Sequence, residues 1–130
     1  MTITHTQPVI LPESACTEGW NDDLHGCVQW RTLFSAERTP TEALTAGVAV
    51  ILPGHELKVH RHTPPELYYL LAGEGIVTID GQEYPVSANS AVFIPGNAAH
   101  GLRNTGQSAL SFFYAFAVNS FDEVEYIFPG

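Results

Sequence analysis

The sequence predicts an all-β domain, a small barrel or sandwich of short strands with an N-terminal arm. Three observations predict it. Apolar stretches of four to nine residues recur about every eight to twelve residues along the chain. Gly, Pro, Asn and Asp punctuate them, as tight turns require. No segment carries a 3.6-residue apolar period long enough for a core helix.

Residues 1–26 contain Pro8, Pro12, Gly19 and Gly26 with little periodicity, and are expected to form an arm with a short strand or helical turn. The domain proper is expected to span 27–130. Its first strand is 27–34, C-V-Q-W-R-T-L-F, and a polar loop with Pro40 follows. The run A-G-V-A-V-I-L at 46–52 reads as a buried strand and stops at Pro53-Gly54. Strands are expected at 57–62 and 66–71, the second ended by Gly73 and Gly75. The 76–80 and 82–86 segments flank Asp80-Gly81, a strong two-residue hairpin signal. Segments 91–94, 99–103 and 110–118 complete the set, and 120–124 is expected to make a helical turn before the Tyr126 tail.

Composition narrows the function classes. The 130 residues suffice for one domain with a real core. Fourteen acidic against five basic residues give a formal charge of −9, which argues against nucleic acid or an anionic membrane as partner. The N-terminus lacks a secretory pattern, and no apolar run reaches bilayer length, so a soluble cytoplasmic protein is expected. Two cysteines make no disulfide framework; they read as reduced thiols, with a Cys16–Cys27 pairing left open.

The chemistry concentrates in G-H-E-L-K-V-H-R-H-T-P-P-E-L-Y-Y-L-L-A-G, residues 54–73. Side chains alternate faces along a strand, so His60 and His62 project the same way, with Arg61 opposite. Glu66 follows a Thr63-Pro64-Pro65 break, and His100 lies in I-P-G-N-A-A-H-G-L-R-N. A single interior histidine is most simply a hydrogen-bonded core residue, and a single glutamate a solvated charge. Three imidazoles and one carboxylate together make a ligand set for a divalent transition metal: Fe, Mn, Ni, Zn or Co. By the same parity Tyr68 faces the cavity with Glu66, and Tyr69 faces out. Lys58 shares parity with His60 and is expected on the inner face near the rim, where it would reach toward water. Trp30, Phe112, Tyr114 and Phe116 are expected either to line the pocket or simply to fill the core.

These residues carry a resemblance to the cupin family. Its first motif, G-x5-H-x-H-x3,4-E-x6-G, is matched by Gly54, His60, His62, Glu66 and Gly73. Its second, G-x5-P-x-G-x2-H-x3-N, is matched by Pro95, His100 and Asn104, with Asn89 in place of the first glycine and the second displaced to Gly96. The resemblance implies a double-stranded β-helix, the cupin jelly-roll, with His60, His62, Glu66 and His100 around a metal inside one end. Dimers through sheet faces and an N-terminal arm are common in such proteins, so a homodimer is expected.

A closer resemblance is to the small cupin-type dimethylsulfoniopropionate lyases, through H-R-H-T-P-P-E-L-Y and the tail F-D-E-V-E-Y at 121–126. It implies a β-elimination that yields dimethyl sulfide and acrylate. Tyr68 is then the candidate base and Tyr126 a second base or clamp. A dioxygenase, isomerase or decarboxylase, or a non-enzymatic small-molecule binder, fits the same metal set.

Overall fold

The computed structural model describes residues 4–12, 17–39 and 41–129. The all-β expectation holds. Among these residues ten strands form one curled antiparallel sheet: β1 (Glu18–Asp22), β2 (Gly26–Phe34), β3 (Thr45–Ile51), β4 (Glu56–His60), β5 (Glu66–Ala72), β6 (Glu74–Ile79), β7 (Gln82–Ser87), β8 (Ala91–Ile94), β9 (His100–Asn104) and β10 (Leu110–Phe116). The order is β7-β6-β9-β4-β2-β3-β10-β5-β8, with β1 added on β2. The one strand not placed by periodicity is β1, inside the stretch read as an arm. It aligns Glu18 with Trp30 and Trp20 with Val28.

The strands form where alternation is strongest. In β10, Leu110, Phe112, Tyr114 and Phe116 are buried, and Ser111, Phe113 and Ala115 are half-buried. In β5, Glu66, Tyr68 and Leu70 point inward and Leu67, Tyr69 and Leu71 outward. The β6–β7 hairpin turns at Asp80 (φ 48°) and Gly81 (φ 81°), the paired left-handed conformations a two-residue loop requires. The two asparagines of the second motif also take left-handed backbone: Asn89 at φ 72°, and Asn97, at the place of the displaced glycine, at φ 65°. Asn104 serves the fold. Its amide donates to the carbonyls of Ile51 (2.9 Å) and Ser108 (2.8 Å), and its oxygen accepts from the Gly106 N–H (2.8 Å).

The two halves of the sheet join where β2 meets β4, through the single pair Gly26–Leu57. Gly26 has φ 94°, and a Cβ there would overlap the Glu56 carbonyl oxygen. Gly26→Ala is therefore expected to cost about 2–4 kcal/mol, from left-handed strain plus overpacking. Urea unfolding of the purified variant measures it, and an unchanged midpoint would show that this crossing is not tight.

One expectation fails here. Lys58 does not share a face with His60, because β4 carries a register shift between Leu57 and His60 in its pairing with β9. Leu57 and His60, three apart, are both buried, while Lys58 and Val59 are exposed. A bulge adds one residue and resets the parity. The segment expected to run to Val118 ends as strand at Phe116, and the helical turn is a 3₁₀ turn, Phe121–Glu123, capped by Ser120. Cys27 is a free thiol, and Cys16 lies outside the described residues. No helix of the described residues is long and apolar enough to cross a membrane.

Candidate metal centre

His60 ends β4, His62 follows just beyond it, Glu66 opens β5 and His100 opens β9. All four are buried, His60 and His62 at 1% exposure and His100 at 0%. β4 and β9 set His60 directly opposite His100. One ring nitrogen from each of His60, His62 and His100 lies within 4.8 Å of the others. Glu66 Oε1 stands 3.2 Å from His62 Nε2 and 3.4 Å from His100 Nε2. Arg61 points away, exposed, and Arg103 pairs with Glu83 at 2.8 Å on the outside.

The hydrogen bonds around the rings decide what the cluster can do. Nδ1 of His60 donates to the Lys58 carbonyl (2.8 Å), that of His62 to the Pro64 carbonyl (2.8 Å), and that of His100 to the Ala98 carbonyl (2.9 Å). A carbonyl only accepts, so each neutral ring keeps its proton on Nδ1 and turns the Nε2 lone pair inward. His100 Nε2 is buried and makes no hydrogen bond. Three lone pairs then face one another beside a carboxylate. Such a set of acceptors is satisfied by a shared cation, and the outer carbonyls fix each ring's orientation and tautomer as they do for metal-bound histidines. The cluster thus suits a metal ion, and its donor types suit several first-row divalent ions.

The electrostatics agree. Burial, helped by the facing His100, pushes His60 down to about 3, so this imidazole stays neutral and available as a donor well into the acid range. Burial pushes Glu66 up; only hydrogen bonds donated by His100 and His62 would hold it below its ordinary value, and with their Nε2 lone pairs turned inward that role falls to a cation. Tyr68 and Tyr126 are both driven well above the ordinary phenol range, by burial first and then by the Glu66 carboxylate.

The cluster opens onto a small pocket with a cavity volume of about 40 Å³. Tyr68 lines it, 1% exposed, with its ring 4.7 Å from Phe112 and 6.4 Å from His100. Tyr126 lines it from the tail, its ring 5.4 Å from His60 and 5.3 Å from His62. The tail is held over the mouth by two backbone hydrogen bonds between Arg61 and Ile127, 3.0 and 2.9 Å. Of the aromatics singled out in the sequence, Trp30, Phe112 and Tyr114 line the pocket; Phe116 instead packs on His62 at 5.2 Å. Trp20 and Phe121 also line it and were not anticipated. Both lie where the sequence shows no clear strand period, so only an isolated aromatic marked them.

Residues 47–116, more than half of the chain, match the family model described as the cupin domain. The chain belongs to the cupin family. Across 128 residues it is 42% identical to the dimethylsulfoniopropionate lyase DddW of Ruegeria pomeroyi, covering 98% of this chain and 84% of that one. It is 31% identical over 88 residues to an oxalate-binding protein of Thermotoga maritima, covering 67% of this chain and 73% of that one. Among solved structures, that of a predicted oxalate decarboxylase from Thermotoga maritima superposes with a TM-score of 0.75 at 25% identity, over 85% of this chain and 99% of that one.

Proposed function

We propose that this cupin is a metal-dependent lyase that cleaves dimethylsulfoniopropionate into dimethyl sulfide and acrylate. The observation that carries the reading is the inward-facing set of acceptors on His60, His62, His100 and Glu66, in a chain 42% identical to a lyase of that name along nearly its whole length. In this reading these four residues hold a divalent transition metal, which when bound polarises the substrate carboxylate and acidifies the adjacent C–H. The phenolate oxygen of Tyr68 takes the proton alpha to the carboxylate. The C–H electron pair becomes the C=C bond, and the C–S pair leaves with sulfur. Tyr126, which lines the same pocket from the tail, clamps the substrate or serves as the second base.

The resting phenols support this only with a cation present. Glu66 and burial raise them, whereas a divalent charge in the cluster acts with the opposite sign. The test is headspace gas chromatography for dimethyl sulfide with Fe, Mn, Ni, Co or Zn supplied in turn. Release is expected with at least one metal and is expected to stop on chelation. No release with any of the five would overturn the lyase reading. The oxalate-binding relative favours one other reading, a protein that holds a small carboxylate at the same cluster without turnover. Metal-dependent binding of a carboxylate with no product would select it.

The same reading includes a single cupin domain at 27–130, a cytoplasmic setting and a homodimer. Leu67, Tyr69 and Leu71 of β5 and Phe93 of β8 are exposed by 39–69% on one outer sheet face, which supports pairing through that face. Light scattering on the eluting peak is expected to give twice the 14.2 kDa chain mass. A single-chain mass at micromolar concentration would remove the dimer from the reading.

A further inference from the structure

We propose that the pocket contains a four-ring aromatic cage for an onium cation, a sulfonium or a quaternary ammonium, built from Trp20, Trp30, Phe121 and Tyr126. The rings touch in a closed circuit. Trp20 meets Trp30 edge-on at 4.9 Å, Trp30 stacks over Phe121 at 6.1 Å, Phe121 meets Tyr126 at 5.9 Å, and Tyr126 meets Trp20 edge-on at 5.3 Å. No ring contact crosses either diagonal, from Trp20 to Phe121 or from Trp30 to Tyr126. All four line the same pocket as His60 and Glu66, and no lysine or arginine lines it. Aromatic faces carry partial negative charge, and several around one point recognise methylated onium groups.

Glu18 is the positioning residue of this wall. It faces Trp30 across the β1–β2 pair, and its Oε2 accepts from the Trp30 indole N–H at 2.8 Å and from Thr32 Oγ1 at 3.3 Å. Its other oxygen pairs with Arg38. The indole's polar edge is thereby tied off and its plane set. Tyr126 belongs both to the cage and, at 5.4 Å, to the wall of the His60 cluster. A zwitterion with its carboxylate at the cluster thus finds the cage a few bonds away. The inference deepens the lyase reading by naming how the cationic end is held, but it does not depend on turnover or on metal.

The test uses the full-length, metal-free protein and the fluorescence of Trp20 and Trp30. Choline and its uncharged carbon analogue 3,3-dimethylbutanol have the same shape and differ in charge. Choline is expected to bind saturably and about tenfold or more tighter, the size of a desolvated cation–π contribution. Trp30→Ala is expected to remove that preference. Glu18→Gln, whose amide oxygen still accepts from the indole, is expected to keep it, and Glu18→Ala to lose most of it with the far-UV spectrum unchanged. Equal binding of the two probes to the wild-type protein would overturn the cage, whatever the variants do. Dimethyl sulfide release with no preference for choline would overturn the cage alone; preference for choline without release would leave the cage standing and remove the lyase.

Discussion

Replacing His60 with alanine is expected to strip the divalent metal from the protein and end turnover. His60 is 1% exposed, faces His100 across β4–β9, and has its Nδ1 committed to the Lys58 carbonyl. Only its Nε2 is left for the interior. Removing it leaves two imidazoles and a carboxylate with a gap where the fourth donor stood, so the ion is expected to be held more weakly and to leave on dialysis. Loss of several kcal/mol of Lewis-acid stabilisation corresponds to a fall of about 10³-fold or more in rate. The fold is expected to survive, since the imidazole is neutral in the metal-free protein and its loss strands no buried charge. Elemental analysis of the dialysed variant, beside headspace analysis, reads both effects. His100→Ala is expected to behave alike. Wild-type metal content in both variants would mean that neither imidazole is needed to hold the ion. A linked result is expected in the wild type: saturating metal at about 1,000 times its dissociation constant adds about 4 kcal/mol of stability. The melting temperature then rises by about 10 °C or more. No shift on loading would show that the cluster does not bind the ion in the native state.

Tyr68→Phe is expected to retain the metal and fold yet lose about 10²–10⁴-fold in kcat, the usual contribution of a positioned general base. The change removes one oxygen and keeps the ring that packs on Phe112. Tyr68 is chosen over Tyr69 because the two point to opposite faces, 1% against 39% exposed. Tyr69→Phe is accordingly expected to leave turnover unchanged. If Tyr68→Phe were fully active, the base would be sought at Tyr126, whose ring stands closer to His60 and His62 than that of Tyr68 does to His100. The sign of the pH dependence follows from the phenol. Glu66 and burial raise it, so in the absence of a bound cation the base is protonated throughout the neutral range. Activity limited by this group is expected to rise with pH on its acid limb, and the limb is expected to shift when one metal replaces another. An acid limb that stays put across metals would argue that another group titrates.

Much of the site was legible because its parts lie close together in the chain. His60 and His62 flank an outward Arg61; Glu66 and Tyr68 share a face of β5, as alternation requires. Asp80-Gly81 made its hairpin because those residues accept positive φ. The misplacement of Lys58 has an equally local look but a non-local cause. Nothing in E-L-K-V-H marks a bulge; the extra residue appears in the pairing of β4 with β9. Trp20 and Phe121 were missed for the same kind of reason. Each is unremarkable in its own segment and becomes a pocket wall only because β1 and the tail pack at one mouth.

By itself, then, the amino-acid order determined an all-β chain, the faces of its strands, the turn positions and the identity of the residues now gathered at the candidate centre. Alternation and left-handed turns are consequences of covalent geometry over two to four residues, so a reader of the chain can follow them. Tertiary structure alone decided that three Nε2 lone pairs converge beside Glu66, that the Arg61–Ile127 bridge holds Tyr126 across the opening, and that four aromatic rings from β1, β2 and the tail close a circuit. Those depend on which distant strands lie side by side, a choice made by burial of the whole core rather than by any neighbouring residues.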